Sequence, residues 1–165
     1  AALVMGDALA VALLEARGFT AEDFARSHPA GSLGRRLLIH IADIMHTGHA
    51  VPRVRESASV SDTLVEMTHK GLGIAAVVDA GNKLLGVFTD GDLRRTLDDA
   101  QMELRSTPVT SVMTPRPKTI APNKLAVEAA RMMEDHKIHA LVVVDENEIV
   151  VGALNIHDLL RARVV

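Results

Sequence analysis

The chain is expected to fold as a mixed α/β (α+β) protein. It should hold two tandem copies of a small unit, each a three-stranded sheet with two helices, preceded by one or two further helices. Three observations lead there. First, the chain repeats. Asp43-Ile-Met-His-Thr47 returns as Ser111-Val-Met-Thr-Pro115, with Met45 and Met113 68 positions apart. Ala75-Ala-Val-Val-Asp79 returns as Ala140-Leu-Val-Val-Val-Asp145. Gly86-Val-Phe-Thr-Asp-Gly-Asp-Leu93 returns as Gly152-Ala-Leu-Asn-Ile-His-Asp-Leu159, with Gly86 and Gly152 66 positions apart. Landmarks that recur in order at nearly one spacing mark a duplicated unit. Second, within each copy the apolar pattern switches between helical period and strand-like runs. Third, 165 residues that are 48% apolar and 24% charged supply a real core. Neither unit is large enough to bury much surface alone, so the two should share it.

Each element has a local reason. Residues 3–16, with Leu3, Leu9 and Leu13, read as an apolar-faced helix ended by Gly18, and Thr20 with Asp23 opens a second short helix. Their apolar faces are expected to pack against a neighbouring chain. Val60, Thr63, Leu64 and Met67 fall at i, i+3, i+4 and i+7 and predict a helix, which Gly71 ends because glycine takes the left-handed conformation cheaply. Ile74–Val78 predicts a strand, Asp79-Ala-Gly-Asn82 a turn and Leu84–Phe88 a second strand. Thr89 or Asp90 then caps a helix to about Leu97, with Asp92 early and Arg94 and Arg95 later, an order that suits the helix dipole. Residues 98–111 read as a polar connector. In the second copy Asn123 caps a helix to His136, strands follow at 140–144 and 149–154, and a helix covers 156–163. The domains are thus expected at 1–38, 39–100 and 101–165.

Composition excludes several classes. With no cysteine, disulfides, thiolate catalysis and cysteine-ligated metals are out. The net charge of −3, without a basic block, speaks against nucleic acid as a partner. With no Trp or Tyr and only Phe19, Phe24 and Phe88, there is no aromatic platform for stacked bases. Apolar runs of a few residues fall far short of the ~20 that span a bilayer, so no membrane segment is expected.

Each repeat resembles a CBS (cystathionine-β-synthase-type) domain, whose signature is a strand ending Gly-h-h-Thr-x-x-Asp-Leu. Gly86 to Leu93 fits throughout; Gly152 to Leu159 fits except that Asn155 stands where threonine is expected. The pair over 39–165 resembles a Bateman module. Residues 1–38, from Met5-Gly-Asp-Ala-Leu-Ala10 through Ser27-His-Pro-Ala-Gly-Ser-Leu-Gly-Arg35, resemble the C-terminal end of a sugar-isomerase (SIS) domain. The whole order is similar to the C-terminal half of bacterial arabinose 5-phosphate isomerases, which supply the precursor of 3-deoxy-D-manno-octulosonate (Kdo) for lipopolysaccharide. The resemblance implies a cytoplasmic regulatory portion of a longer enzyme, dimerising through its CBS pairs in a homotetrameric parent. His28 falls where that family carries a catalytic histidine. The family's phosphosugar loop, lysine and glutamates have no counterparts here. Opening a sugar ring and relaying a proton needs a base and an acid placed together, so the chain by itself is expected to be inactive.

The resemblance also implies a nucleotide or nucleotide-sugar site. Thr89 and Asp92 are its first candidates: a helix start favours phosphate, the hydroxyl suits phosphate or ribose, and the carboxylate accepts from ribose hydroxyls. A helix cap accounts for the same pair. Asn155 and Asp158 are the second-copy candidates, and Met45, His46 and Thr47 are expected to line the same clefts. Arg94, Arg95 and Arg161 are at hand to neutralise an anion, although a solvated helix face explains each. CMP-Kdo is the implied ligand, with AMP or ATP as the alternative and a ligand-free oligomerisation scaffold as the competing reading. No cofactor is implied. His40, His46 and His49, and His136 with His139, invite a metal, but the first set straddles a loop and the second a helix end and a strand. No metal site is expected, and capping accounts for Asp90 and Asp92.

Overall fold

The computed structural model describes Gly18, residues 38–98 and residues 102–165. The helices predicted over 3–16 and from Thr20 lie outside the described residues. Within the compact unit His40–Val165, the first repeat holds α1 (Ile41–Ile44), a 3-10 turn at Gly48–Ala50, β1 (Arg53–Arg55), α2 (Val60–Lys70), β2 (Ile74–Val78), β3 (Leu84–Thr89) and α3 (Asp90–Leu97). The second holds a 3-10 turn at Val109–Ser111, β4 (Thr114–Pro115), β5 (Thr119–Ile120), α4 (Ala126–His136), β6 (Ala140–Val144), β7 (Val150–Asn155) and α5 (Ile156–Arg161). The final helix is therefore shorter than the stretch to 163 that the sequence predicts.

In each repeat the first strand pairs parallel with the second and the second antiparallel with the third. Both antiparallel pairs carry a register shift at the same place, between Val77 and Val78 and between Val143 and Val144. The expectation of two three-stranded sheets needs one correction. The first sheet has a fourth strand, β4, lent by the second repeat through Gly86–Pro115 and Val87–Thr114 pairing. The second sheet receives the reciprocal loan as an isolated bridge: the His46 N–H donates to the Ala153 carbonyl at 2.8 Å and the Ala153 N–H to the His46 carbonyl at 3.1 Å.

Two glycines make this exchange possible. A Cβ at Gly86 would lie 2.6 Å from Met113 Sδ and 2.8 Å from the Thr114 carbonyl oxygen. At Gly152 it would lie 2.5 Å from Met45 Sδ and 3.0 Å from the His46 carbonyl oxygen. The glycines and methionines that recur in the sequence thus meet each other across the repeats.

Strand β2 is buried along its whole length because both of its faces are covered. Ile74, Ala76 and Val78 join Val87, Val142, Val150 and Ala153 in a core that both repeats share. Ala75 and Val77 face the other way, onto Val60, Met67, Phe88 and Val109. The β2–β3 and β6–β7 turns also clasp each other: the Leu84 N–H donates to the Glu148 carbonyl at 3.0 Å and the Val150 N–H to the Asn82 carbonyl at 3.1 Å. Lys83 Nζ meets Glu148 Oε2 at 2.9 Å. That bond and charge hold the exposed ammonium protonated to a pH above its ordinary 10.5.

The helix ends follow chemical rules with one exception. Ser59 and Asp62 cap α2 reciprocally, and Gly71 ends it at φ +68°. The two remaining first-turn donors of α2 are met from the connector: Val60 N–H reaches the Thr107 carbonyl and Ser61 N–H the Leu104 carbonyl, both at 2.9 Å. Its described part is therefore a packed segment, with Val109 fully buried, and not a free polar linker. The exception is α4. Leu125, not Asn123, holds the N-cap position, and Glu128 Oε1 accepts from the Leu125 N–H at 3.2 Å. Asn123 sits in the turn before it.

Replacing Gly86 or Gly152 by alanine should cost about 1–3 kcal/mol through forced backbone shifts. A fall in Tm of about 2–4 °C per kcal/mol is expected at this size. Gly81→Ala, whose Cβ would meet only Asp79 Oδ1 at 3.4 Å, is the control and should stay within about 0.5 kcal/mol of the parent chain.

Candidate functional site

The two Asp-Leu motifs build matching helix starts. Thr89 ends β3 in an extended conformation and caps α3. Its hydroxyl donates to Asp92 Oδ2 at 2.6 Å and accepts from the Asp92 N–H at 3.3 Å, while the Thr89 N–H donates to the same carboxylate oxygen at 2.9 Å. Asp92 Oδ1 accepts from the Thr114 hydroxyl at 2.8 Å and from Arg95. In the second copy Asn155 Oδ1 accepts from the His157 and Asp158 N–H groups, and Asp158 Oδ2 accepts from the Asn155 N–H at 2.9 Å. Asp158 Oδ1 accepts from His46 Nε2 at 3.0 Å, with Arg161 3.6 Å away. Thr114 and His46 hold counterpart positions, so each buried aspartate is tied to the lead-in segment of the other repeat.

A cleft of about 800 Å³ opens between the repeats. Its walls come in counterparts: Gly71, Gly73 and Ile74 with Lys137, His139 and Ala140, and Thr89, Asp90 and Gly91 with Asn155, Ile156 and His157. Thr114, Arg116, Pro117 and Lys118 add a third segment. Among the described residues that line it, Arg95, Arg116, Lys118 and Lys137 carry positive charge and Asp90 alone is a carboxylate. The cleft is therefore electropositive in a chain of net charge −3. Such a site concentrates anions.

The structure brings Thr89 and Asn155 together in this cleft. Asp92 and Asp158 lie beneath it, with side chains 1% and 5% exposed and their oxygens committed to protein donors. Met45 packs on Gly152, and His46 turns to Asp158. Thr47 is exposed at the start of a 3-10 turn. It lies beside a smaller cavity of about 530 Å³ that includes Gly48, Arg53 and Lys70. Neither His46 nor Thr47 lines the larger cleft. Arg95 does, Arg161 stays on Asp158, and Arg94 is exposed. His28 lies outside the described residues.

Arg116, Lys118 and Lys137 escaped the motif search because none belongs to the Gly-h-h-Thr-x-x-Asp signature, and the sequence marks His139 only as a candidate metal ligand. The signal that finds them is the repeat itself: basic residues stand where the first copy has none. Among the described residues no group of three His, Asp or Glu side chains converges as a metal site, and no helix is long and apolar enough to cross a membrane.

Because Asp92 is saturated by its own chain, its loss should register first as instability. Asp92→Ala removes the cap and strands the Thr114 hydroxyl and Arg95, a cost of about 1–3 kcal/mol. A urea melt reads it. An unchanged midpoint would mean that the carboxylate is not held as described.

Comparison with known proteins agrees with the duplicated architecture. The CBS domain profile matches residues 41–99 and 109–165. The chain is 58% identical over 163 residues to the arabinose 5-phosphate isomerase KdsD of Pseudomonas aeruginosa, covering 99% of this chain and 50% of that protein. It is 52% identical over 165 residues to KdsD of Escherichia coli K12, covering 100% of this chain and 50% of that protein. The chain thus spans about half the length of the curated relatives it matches. Among solved structures, CBSX2 in complex with AMP superposes with a TM-score of 0.67 at 27% identity, covering 76% of this chain and 96% of that one. Two profile matches, two sheets joined by a lent strand and a reciprocal bridge, and a cleft between them lead to one conclusion: the chain belongs to the CBS-domain family, as a tandem pair.

Proposed function

We propose that this pair is the ligand-sensing, non-catalytic part of an arabinose 5-phosphate isomerase, and that it binds CMP-Kdo in the cleft between its repeats. The electropositive lining carries the reading. CMP-Kdo is a cytidine nucleotide sugar acid with a phosphodiester and a carboxylate, and Arg116, Lys118 and Lys137 offer charges for both. A cleft of about 800 Å³ falls in the ordinary range for small-molecule sites. The lack of aromatic residues fits a base held by aliphatic walls, such as Ile74 and Ile138, and by backbone groups. Identity above half to proteins named arabinose 5-phosphate isomerase supports the parent activity. Feedback by the activated end product follows from that chemistry: a ligand that prefers one arrangement of the repeats biases the attached isomerase by its differential affinity.

The AMP complex of a CBS-pair relative favours a second reading, an adenine nucleotide in the same cleft. Calorimetric melts with CMP-Kdo, CMP, AMP and ATP separate the two. A ligand at a hundred times its Kd adds about 2.7 kcal/mol, or about 5–10 °C at this size. A shift with CMP-Kdo and none with AMP or ATP is expected. The reverse result makes the pair an adenine-nucleotide sensor, and no shift with any of them leaves an oligomerisation scaffold. The chain alone should not interconvert ribulose 5-phosphate and arabinose 5-phosphate; measurable turnover would overturn its non-catalytic role.

A further inference from the structure

The two repeats share a backbone plan but break it at the cleft in one chemical direction. Glycines of the first repeat are replaced by cations or imidazoles in the second: Gly48 by Arg116, Gly71 by Lys137, Gly73 by His139 and Gly91 by His157. All four replacements line the cleft. At two of them the left-handed backbone is kept although the glycine is gone. Gly48 has φ +56° and Arg116 +49°; Gly71 has φ +68° and Lys137 +54°. Residues with a Cβ rarely adopt this conformation, because the Cβ crowds the following carbonyl. Strain of this kind gathers at sites that use the side chain.

The lining that comes from the first repeat is different. A Cβ added at Gly71 would meet nothing within 4 Å, so the first repeat leaves room where the second places charge. Asp90, the one carboxylate among the described lining residues, belongs to the first repeat, as does Arg95, whose guanidinium is already paired with the buried Asp92. Asp90 repels acids there and accepts hydroxyl donors. We propose that the cleft is polarised, taking one ligand per chain in a single orientation. The doubly acidic end lies against Arg116 and Lys137, which are held left-handed to grip it, and the neutral, hydroxyl-bearing end lies on the glycine wall of the first repeat. This rests on the reading of the cleft as an anion site, but it does not depend on which nucleotide binds.

The test uses the Arg116→Gly/Lys137→Gly double variant, with Arg163→Gly as control. Arg163 is also left-handed, at φ +57°, but is not part of the cleft. Titration calorimetry with inorganic pyrophosphate, CMP-Kdo and cytidine is combined with melting. The double variant should melt higher by about 2–4 °C per relieved position, while pyrophosphate affinity falls about tenfold for each charge removed. Arg163→Gly should also melt higher with pyrophosphate affinity unchanged, and the parent chain should take one pyrophosphate. Unchanged pyrophosphate affinity in the double variant, two equal sites, no binding to the parent chain, or a lower Tm of the double variant would each overturn the proposal. If pyrophosphate binding depends on Arg116 and Lys137 while CMP-Kdo does not bind, the polarity stands and the proposed ligand fails. If CMP-Kdo binds the double variant as tightly as the parent chain, the polarity fails and that ligand stands.

Discussion

Backbone of one repeat can lie on the sheet of the other only where a side chain is missing, and Gly86 and Gly152 are where it is missing. From that close approach much of the architecture follows. Thr114 pairs with Val87 and His46 with Ala153, so each sheet is completed by the neighbouring repeat. The same crossing carries the Thr114 hydroxyl to Asp92 and the His46 imidazole to Asp158. Both repeats also contribute to one apolar core around β2, where neither would close alone.

The helix starts hold both buried structural groups and groups that line the cleft. Reciprocal caps and the borrowed donors satisfy the buried carboxylates of Asp92 and Asp158. A buried carboxylate needs such partners, since leaving it unpaired is costly. The motif aspartates therefore brace the cleft, while Thr89, Asn155 and the cations around them line it. Arg95 does both, pairing with Asp92 while bordering the cleft.

Duplication supplied two equivalent frames, and the side chains made them unequal. Where the first repeat turns on glycine, the second turns on Arg116 and Lys137 at nearly the same φ. The shared fold tolerates the substitution because both positions are exposed and their neighbours leave space. The difference between repeats is thus one of charge at a common surface.

The sequence by itself determined the duplicated α/β plan, the bounds of β2 and β6, the cap at Thr89 and the left-handed end at Gly71. These rest on period, propensity and contacts within a few residues, all of which are written locally. The Asn123 expectation failed because Glu128 binds the Leu125 N–H, and a cap shifted by two residues is a choice between near-equal local options. Tertiary structure alone decided the rest. The strand lent by the second repeat and the bridge returned by the first, the packing of Leu104 and Val109 on α2, the His46–Asp158 bond and the gathering of Arg116 and Lys137 on one cleft join residues distant in sequence. Their partners are chosen by how the two repeats dock. No period or spacing within one segment records that choice.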